Sequence, residues 1–158
     1  MQFAQNSAAI SARWKVLQSE AHPDMFAAHG SAAQRVAMQW SVRINEAYQR
    51  LRDPLKRASY LCEIHGAPIN AENNTAMPGD FLMQQMEWRE ALDEAKTLRA
   101  VEEIAREVRK NELEKLIKIE QTLDLKKDFV AAAQQVRSLM FVERFAAQVC
   151  MRIDLLGQ

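Results

Sequence analysis

The strongest constraint on this chain is an absence: from Phe81 to Leu156 neither glycine nor proline interrupts it. Inside a helix glycine costs about 1 kcal/mol and proline about 3 kcal/mol relative to alanine, so a tract free of both can be helical throughout. Ala, Leu, Gln, Glu, Arg and Met recur along it, all good helix formers. The whole chain of 158 residues holds only 4 Gly and 4 Pro, which predicts an all-α fold. Hydrophobic residues at 48% against 27% charged exclude a disordered polymer, and the length fits one ordinary domain or two small ones. Lys+Arg 21 cancels Asp+Glu 21, so no global positive charge directs the chain to nucleic acid or a membrane surface. Any partner must be met through local patches.

The few helix breakers divide the chain. Gly66, Pro68, Pro78 and Gly79 fall close together, so residues 67–80 read as a linker between an N-terminal unit, 1–66, and a C-terminal unit, 81–158. In the first unit Ile10, Trp14, Leu17 and Ala21 recur at helical spacing until Pro23, which pushes the residue before it out of the α region. A second helix carries Val36, Trp40, Ile44, Ala47 and Leu51 on one face, with Ser31 as its expected N-cap. Asp53-Pro54 opens a shorter third helix through Ile64, proline suiting a first turn. The second unit shows three stripes: Phe81, Trp88, Leu92 and Ala95; then Val101, Ala105, Val108, Leu116, Ile119 and Leu123; then Phe129, Ala132, Val136, Leu139, Ala146, Cys150 and Ile153. Three stripes facing one axis predict a three-helix bundle.

Catalytic signatures are missing. There is no Gly-rich phosphate loop, GxSxG or HExxH, and His22, His29 and His65 fall in or beside loops instead of pairing on a helix face. Cys62 and Cys150 stand far apart with no CxxC, which argues against zinc and predicts two buried apolar thiols. Neither an enzyme nor a resident cofactor or metal is expected. Glu102, Glu103, Glu107, Glu112 and Glu114 alternate with Arg106, Arg109, Lys110, Lys115 and Lys118, a pattern better read as a solvated face with i,i+4 pairs than as paired catalytic carboxylates. No apolar run reaches the roughly 18 residues of a membrane span, and Met1 to Ser11 lacks the charged start and apolar centre of a secretory signal.

The informative triplet is His22-Pro23-Asp24. Alone it is a plausible turn, since Pro and Asp both favour turns. Its setting is more specific: it lies between two amphipathic helices, the second carrying Asn45-Glu46-Ala47-Tyr48 and then Leu51-Arg52-Asp53-Pro54. This resembles the J domain of DnaK-type co-chaperones. Asp53-Pro54-Leu55-Lys56-Arg57-Ala58-Ser59-Tyr60-Leu61, His65-Gly66, and the run Phe81-Leu82-Met83-Gln84-Gln85-Met86-Glu87-Trp88-Arg89-Glu90-Ala91-Leu92-Asp93-Glu94 extend the likeness over nearly the whole chain to the HscB family, J-type co-chaperones of iron-sulfur cluster assembly.

The resemblance implies that 1–66 is a J domain whose His22, Pro23 and Asp24 dock on a DnaK/HscA-type ATPase and stimulate its ATP hydrolysis. Pro23 holds its φ fixed, so the flanking imidazole and carboxylate are presented with little ordering cost. Arg13 and Lys15 are the candidate basic contacts on the preceding helix, fewer than such helices usually carry, and Met25 stands where lysine is common. The family's short first helix, which packs across the hairpin, has no counterpart between Met1 and His22. A first J-domain helix that is missing or shortened is therefore expected, with Trp14, Leu17 or Trp40 exposed.

The rear unit offers a second surface. At about 100° per residue, Leu82, Met83, Met86, Glu87 and Glu90 fall opposite Phe81, Trp88, Leu92 and Ala95, and Phe141 with Phe145 falls off the stripe of the last helix. One helix cannot turn both faces into one small core, so an exposed apolar patch edged with acid is predicted. By resemblance, Leu82, Met83, Met86, Glu87, Glu90 and Phe141 match the residues with which the family binds the scaffold protein IscU. The implied partners are a chaperone ATPase and IscU, without nucleic acid or membrane, in a bacterial cytoplasm. A general J-type co-chaperone that binds unfolded clients is the alternative reading.

Overall fold

The computed structural model describes residues 2–71 and 77–157. Among them are six α-helices and no strand: α1 (Ser7–Glu20), α2 (Ser31–Arg52), α3 (Pro54–Ile64), α4 (Gly79–Glu94), α5 (Leu98–Glu120) and α6 (Phe129–Leu156). A 3₁₀ turn, Pro23–His29, joins α1 to α2, and a π turn, Gln121–Lys126, continues α5. Short polar side chains start most helices: Asn6, Asp53, Thr97 and Asp128 each accept a hydrogen bond from the backbone N–H three residues on. The exceptions are α4, whose cap position is Pro78, and α2. Ser31 is its first helical residue instead of its cap, because Gly30 holds the cap position at φ +86°, where the chain turns out of the 3₁₀ segment and no side-chain bond forms.

The hydrophobic interior has two parts. The first joins Ala58, Leu61 and Cys62 of α3, together with Phe3, Ala67 and Ile69, to Ile119, Leu123, Ala132, Ala133, Val136 and Leu139. The expected linker is thus packed where it begins: Ala67 and Ile69 are buried, and the Ile69 carbonyl accepts a 2.8 Å bond from the buried Arg137 guanidinium. Residues 72–76 of that linker lie outside the described residues. The second part unites Phe81 and Trp88 of α4 with Val101 and Val108 of α5 and Val142, Phe145 and Val149 of α6.

Two expectations for α6 need correction. Phe145 is buried, stacked on Trp88 with ring centroids 5.7 Å apart, and Cys150 is exposed while Cys62 alone is a buried thiol. Helix α6 meets a different neighbour along each half, α3 and then α4, so its buried face turns by roughly 100° between Val136–Leu139 and Val142–Val149. A single straight stripe does not describe it.

The α1–α2 hairpin is the sparsely packed part. Trp14 stacks on Tyr48 at 4.7 Å and donates to Asn45 at 2.9 Å, and Gln18 exchanges bonds with Ser41, yet Ala37 is the only residue of either helix that is fully buried. Val36 and Trp40 of the expected apolar face are 53% and 55% exposed. Trp40 borders two adjoining clefts of about 550 and 530 Å³, lined also by Leu17 and Ile44, and Val36 borders the second. The exposure expected at Trp40 is present; Trp14 and Leu17 are half-buried.

Candidate functional site

The first site is the corner between α1 and α2. Helix α1 stops at Glu20, the Ala21 N–H closes on the Leu17 carbonyl, and Pro23 opens the 3₁₀ turn. His22 caps that turn with φ −65° and ψ 130°, its Nδ1 accepting from the Asp24 N–H at 3.3 Å. The Asp24 carboxylate lies 3.5 Å from the same ring nitrogen, a contact that becomes an ion pair when the imidazole is protonated. The two side chains are 56% and 90% exposed, so this short motif holds its shape by local bonds while both polar heads face solvent. Arg13 and Lys15 are exposed on α1 without an ion pair among the described residues. Two positions apart on a helix they diverge by about 200°, so they do not form one patch. Arg13 borders the apolar cleft beside Trp14. The unit 1–66 has eight basic and five acidic residues, net +3, and 67–158 has thirteen and sixteen, net −3; the neutrality of the chain hides this division.

The second site is the outer face of α4. Phe81, Gln85 and Trp88 point inward, leaving Leu82, Met83 and Met86 48%, 64% and 71% exposed, with Glu87 and Glu90 exposed beside them. The inner face is held firmly: Trp88 Nε1 donates to Glu107 Oε1 at 2.8 Å, and Lys115 Nζ lies 4.7 Å above the Phe81 ring. Burial, with Lys118 nearby, lowers the Lys115 pKa, partly opposed by Asp80. Phe141 is half-buried against the α4–α6 core, its ring 5.6 Å from the Arg144 guanidinium, so it offers an edge instead of a whole side chain. Much of the charged set on α5 is a solvated face, with exposed pairs Arg99–Glu103, Arg106–Glu103 and Lys110–Glu114, but Glu112 and Lys115 are half-buried and Glu107 is bonded to Trp88. Among the described residues no three His, Cys, Asp or Glu side chains converge as metal ligands, and no helix is long and apolar enough to cross a membrane.

The family model described as the HSCB C-terminal oligomerisation domain matches residues 77–149. The proteins named co-chaperone protein HscB homolog from Burkholderia multivorans and Burkholderia cenocepacia are each 49% identical to this chain, over 98% of it and 90% of the relative. The chain belongs to the HscB family of co-chaperones. Two solved HscB structures share its fold: that of Vibrio cholerae, 31% identical with TM-score 0.84 over 98% of this chain and 93% of the other, and human co-chaperone HscB, 26% identical with TM-score 0.90 over 96% and 76%.

Sequence reasoning passed over three residues at the seam between the two halves of the chain. The Phe3 and Ala4 N–H groups donate to the two Asp124 oxygens at 2.6 and 2.9 Å, and the Phe3 carbonyl accepts from the buried Arg57 Nε at 2.8 Å. A signal existed for Arg57: it falls in the i, i+3, i+4 row of α3 with Pro54, Ala58 and Leu61, a charge at a core position. Nothing local marked Phe3 or Asp124.

Proposed function

We propose that this protein delivers an iron-sulfur scaffold protein to a DnaK/HscA-type chaperone and stimulates the ATPase of that chaperone. The observation that carries the proposal is the outward face of α4: three large apolar side chains and two carboxylates stand in solvent on a helix whose other face, through Phe81 and Trp88, is already buried in the core. A patch of this kind is stabilised by covering, the methionines adapting to the partner and the glutamates fixing its orientation. Leu82, Met83 and Met86 supply most of the affinity, Glu87 and Glu90 specificity, and Phe141 a lateral edge.

At the other end His22, Pro23 and Asp24 meet the chaperone. Asp24 is free to accept a charge-assisted bond from an arginine of that partner, and Arg13, Lys15 and the net charge of +3 on residues 1–66 favour an acidic surface around it. Holding both partners on one chain raises the concentration of each for the other. No chemistry is assigned to the chain itself; hydrolysis takes place on the ATPase. A bacterial cytoplasm is the compartment proposed. The test is a calorimetric titration with folded IscU-type scaffold protein together with a steady-state ATPase assay on the chaperone. Saturable scaffold binding and stimulation are expected; binding to a denatured model substrate but not to the folded scaffold would replace this reading with that of a general co-chaperone.

A further inference from the structure

The hairpin that carries His22 and the bundle that carries the α4 patch are joined narrowly. Helix α3 is seated on α6 through Ala58, Leu61 and Cys62, whereas α1 and α2 make no extensive contact with α4, α5 or α6. The hairpin therefore hangs from α3 at two points: the Asp53-Pro54 joint that ends α2, and residues 3–6, which lead into α1. Left to themselves, two such joints would let the hairpin swing.

Both joints are gripped by the same side chain. Arg57 projects from α3, 8% exposed, and its fork spans them: Nε donates to the Phe3 carbonyl at 2.8 Å ahead of α1, and Nη1 donates to the Leu51 carbonyl in the last turn of α2. Its guanidinium also lies 4.9 Å from the Phe3 ring, and that ring is buried in the α3–α6 core. From the bundle side, Asp124 in the π turn takes the consecutive N–H groups of Phe3 and Ala4 on its two oxygens. A planar guanidinium can hold two carbonyls in diverging directions and a carboxylate two adjacent amides, whereas an ammonium or an amide cannot do either equally well. π turns often arise where a helix is bent to aim a group, and here the group aimed is Asp124.

We propose that Arg57 and Asp124 form a double clamp that fixes the direction of the α1–α2 hairpin relative to the bundle, making them positioning residues for delivery of the scaffold to the chaperone. The delivery role rests on the function proposed above; the clamp does not.

The experiment uses the full chain with Cys150→Ser and spin labels at Arg35→Cys and Glu102→Cys, two exposed sites on α2 and α5, read by double electron–electron resonance. The parent should give one narrow distance distribution. Asp124→Asn, which leaves one of the two amides facing an NH₂ group, and Arg57→Lys, which keeps the charge but not the fork, should widen it by about two-fold or more with unchanged helicity. In the same variants without spin labels, ATPase stimulation by the co-chaperone alone and affinity for the scaffold should stay within about two-fold, while the extra stimulation obtained with both present falls by about five-fold or more. Distributions as narrow as the parent's would overturn the clamp. Wide distributions with undiminished joint stimulation would reject the positioning role, as would loss of folding in both variants. If the parent itself neither binds scaffold nor stimulates the ATPase, the delivery reading fails while the distance measurement still decides the clamp.

Discussion

Truncating Leu82, Met83 and Met86 together to alanine separates binding from folding more cleanly than any other change. Full burial of a Leu or Met side chain is worth about 1.5 to 3 kcal/mol. These three already lose part of their surface to the fold, leaving 48%, 64% and 71% for a partner to cover. Each therefore has about 1 to 2 kcal/mol to offer a complex, and after allowance for the methyl group that alanine retains the triple change should weaken scaffold binding by about 2 to 4 kcal/mol. That corresponds to about 30-fold to 1000-fold in Kd. The folded state loses little, because exposed substitutions away from special features change stability by about 0.5 kcal/mol or less each. Calorimetric titration with the scaffold protein, paired with a thermal melt, reads both quantities. Affinity within about two-fold of the parent would refute the reasoning, and so would a collapse in melting temperature, since the face would then be part of the core.

At the other end of the molecule, Asp24→Asn should abolish ATPase stimulation without moving the melting temperature, because the carboxylate is 90% exposed and its removal leaves nothing buried unpaired. Stimulation at the level of the parent would sink the role given to the corner. Trp88→Phe removes the 2.8 Å bond to Glu107 and part of a side chain that is 3% exposed, and should cost about 2 to 3 kcal/mol of stability, visible in a denaturant titration. Glu143 has its pKa raised by partial burial first, then by Asp53 across the seam between the two halves and by Glu112 on the neighbouring α5. A carboxyl whose folded pKa lies above its unfolded value binds more protons when folded, so its contribution to stability is fully present below the ordinary glutamate value of 4.5 and is lost as pH rises through the folded pKa. Glu143→Gln should therefore raise the melting temperature at pH 7 and leave it nearly unchanged at pH 4; an equal shift at both would contradict the cause.

Helix content, the order of the elements and the inward faces of α4 and α5 were readable from the chain, because spacing at 3.6 residues and scarce helix breakers are local properties. So was the α4 patch: Phe81 and Trp88 on one side and Leu82, Met83 and Met86 on the other are fixed by helix geometry once the aromatic side is inside. The His22 corner was equally legible, since Pro23 and the capping bonds of His22 act within three residues.

What needed the tertiary structure was every property set by a neighbour far along the chain. Phe145 and Cys150 changed places relative to expectation because α6 packs on α3 and then on α4, and no wheel drawn for one helix contains that change of partner. Trp40 belongs to a good apolar face and still stands in solvent, since burial requires a second surface as well as a first. Arg57 and Asp124 meet through Phe3, the amide and the carboxylate that binds it standing 121 positions apart, a closure that side-chain periodicity does not encode. The local code determined which surfaces exist; the packing of α3 on α6 decided how they are held toward each other.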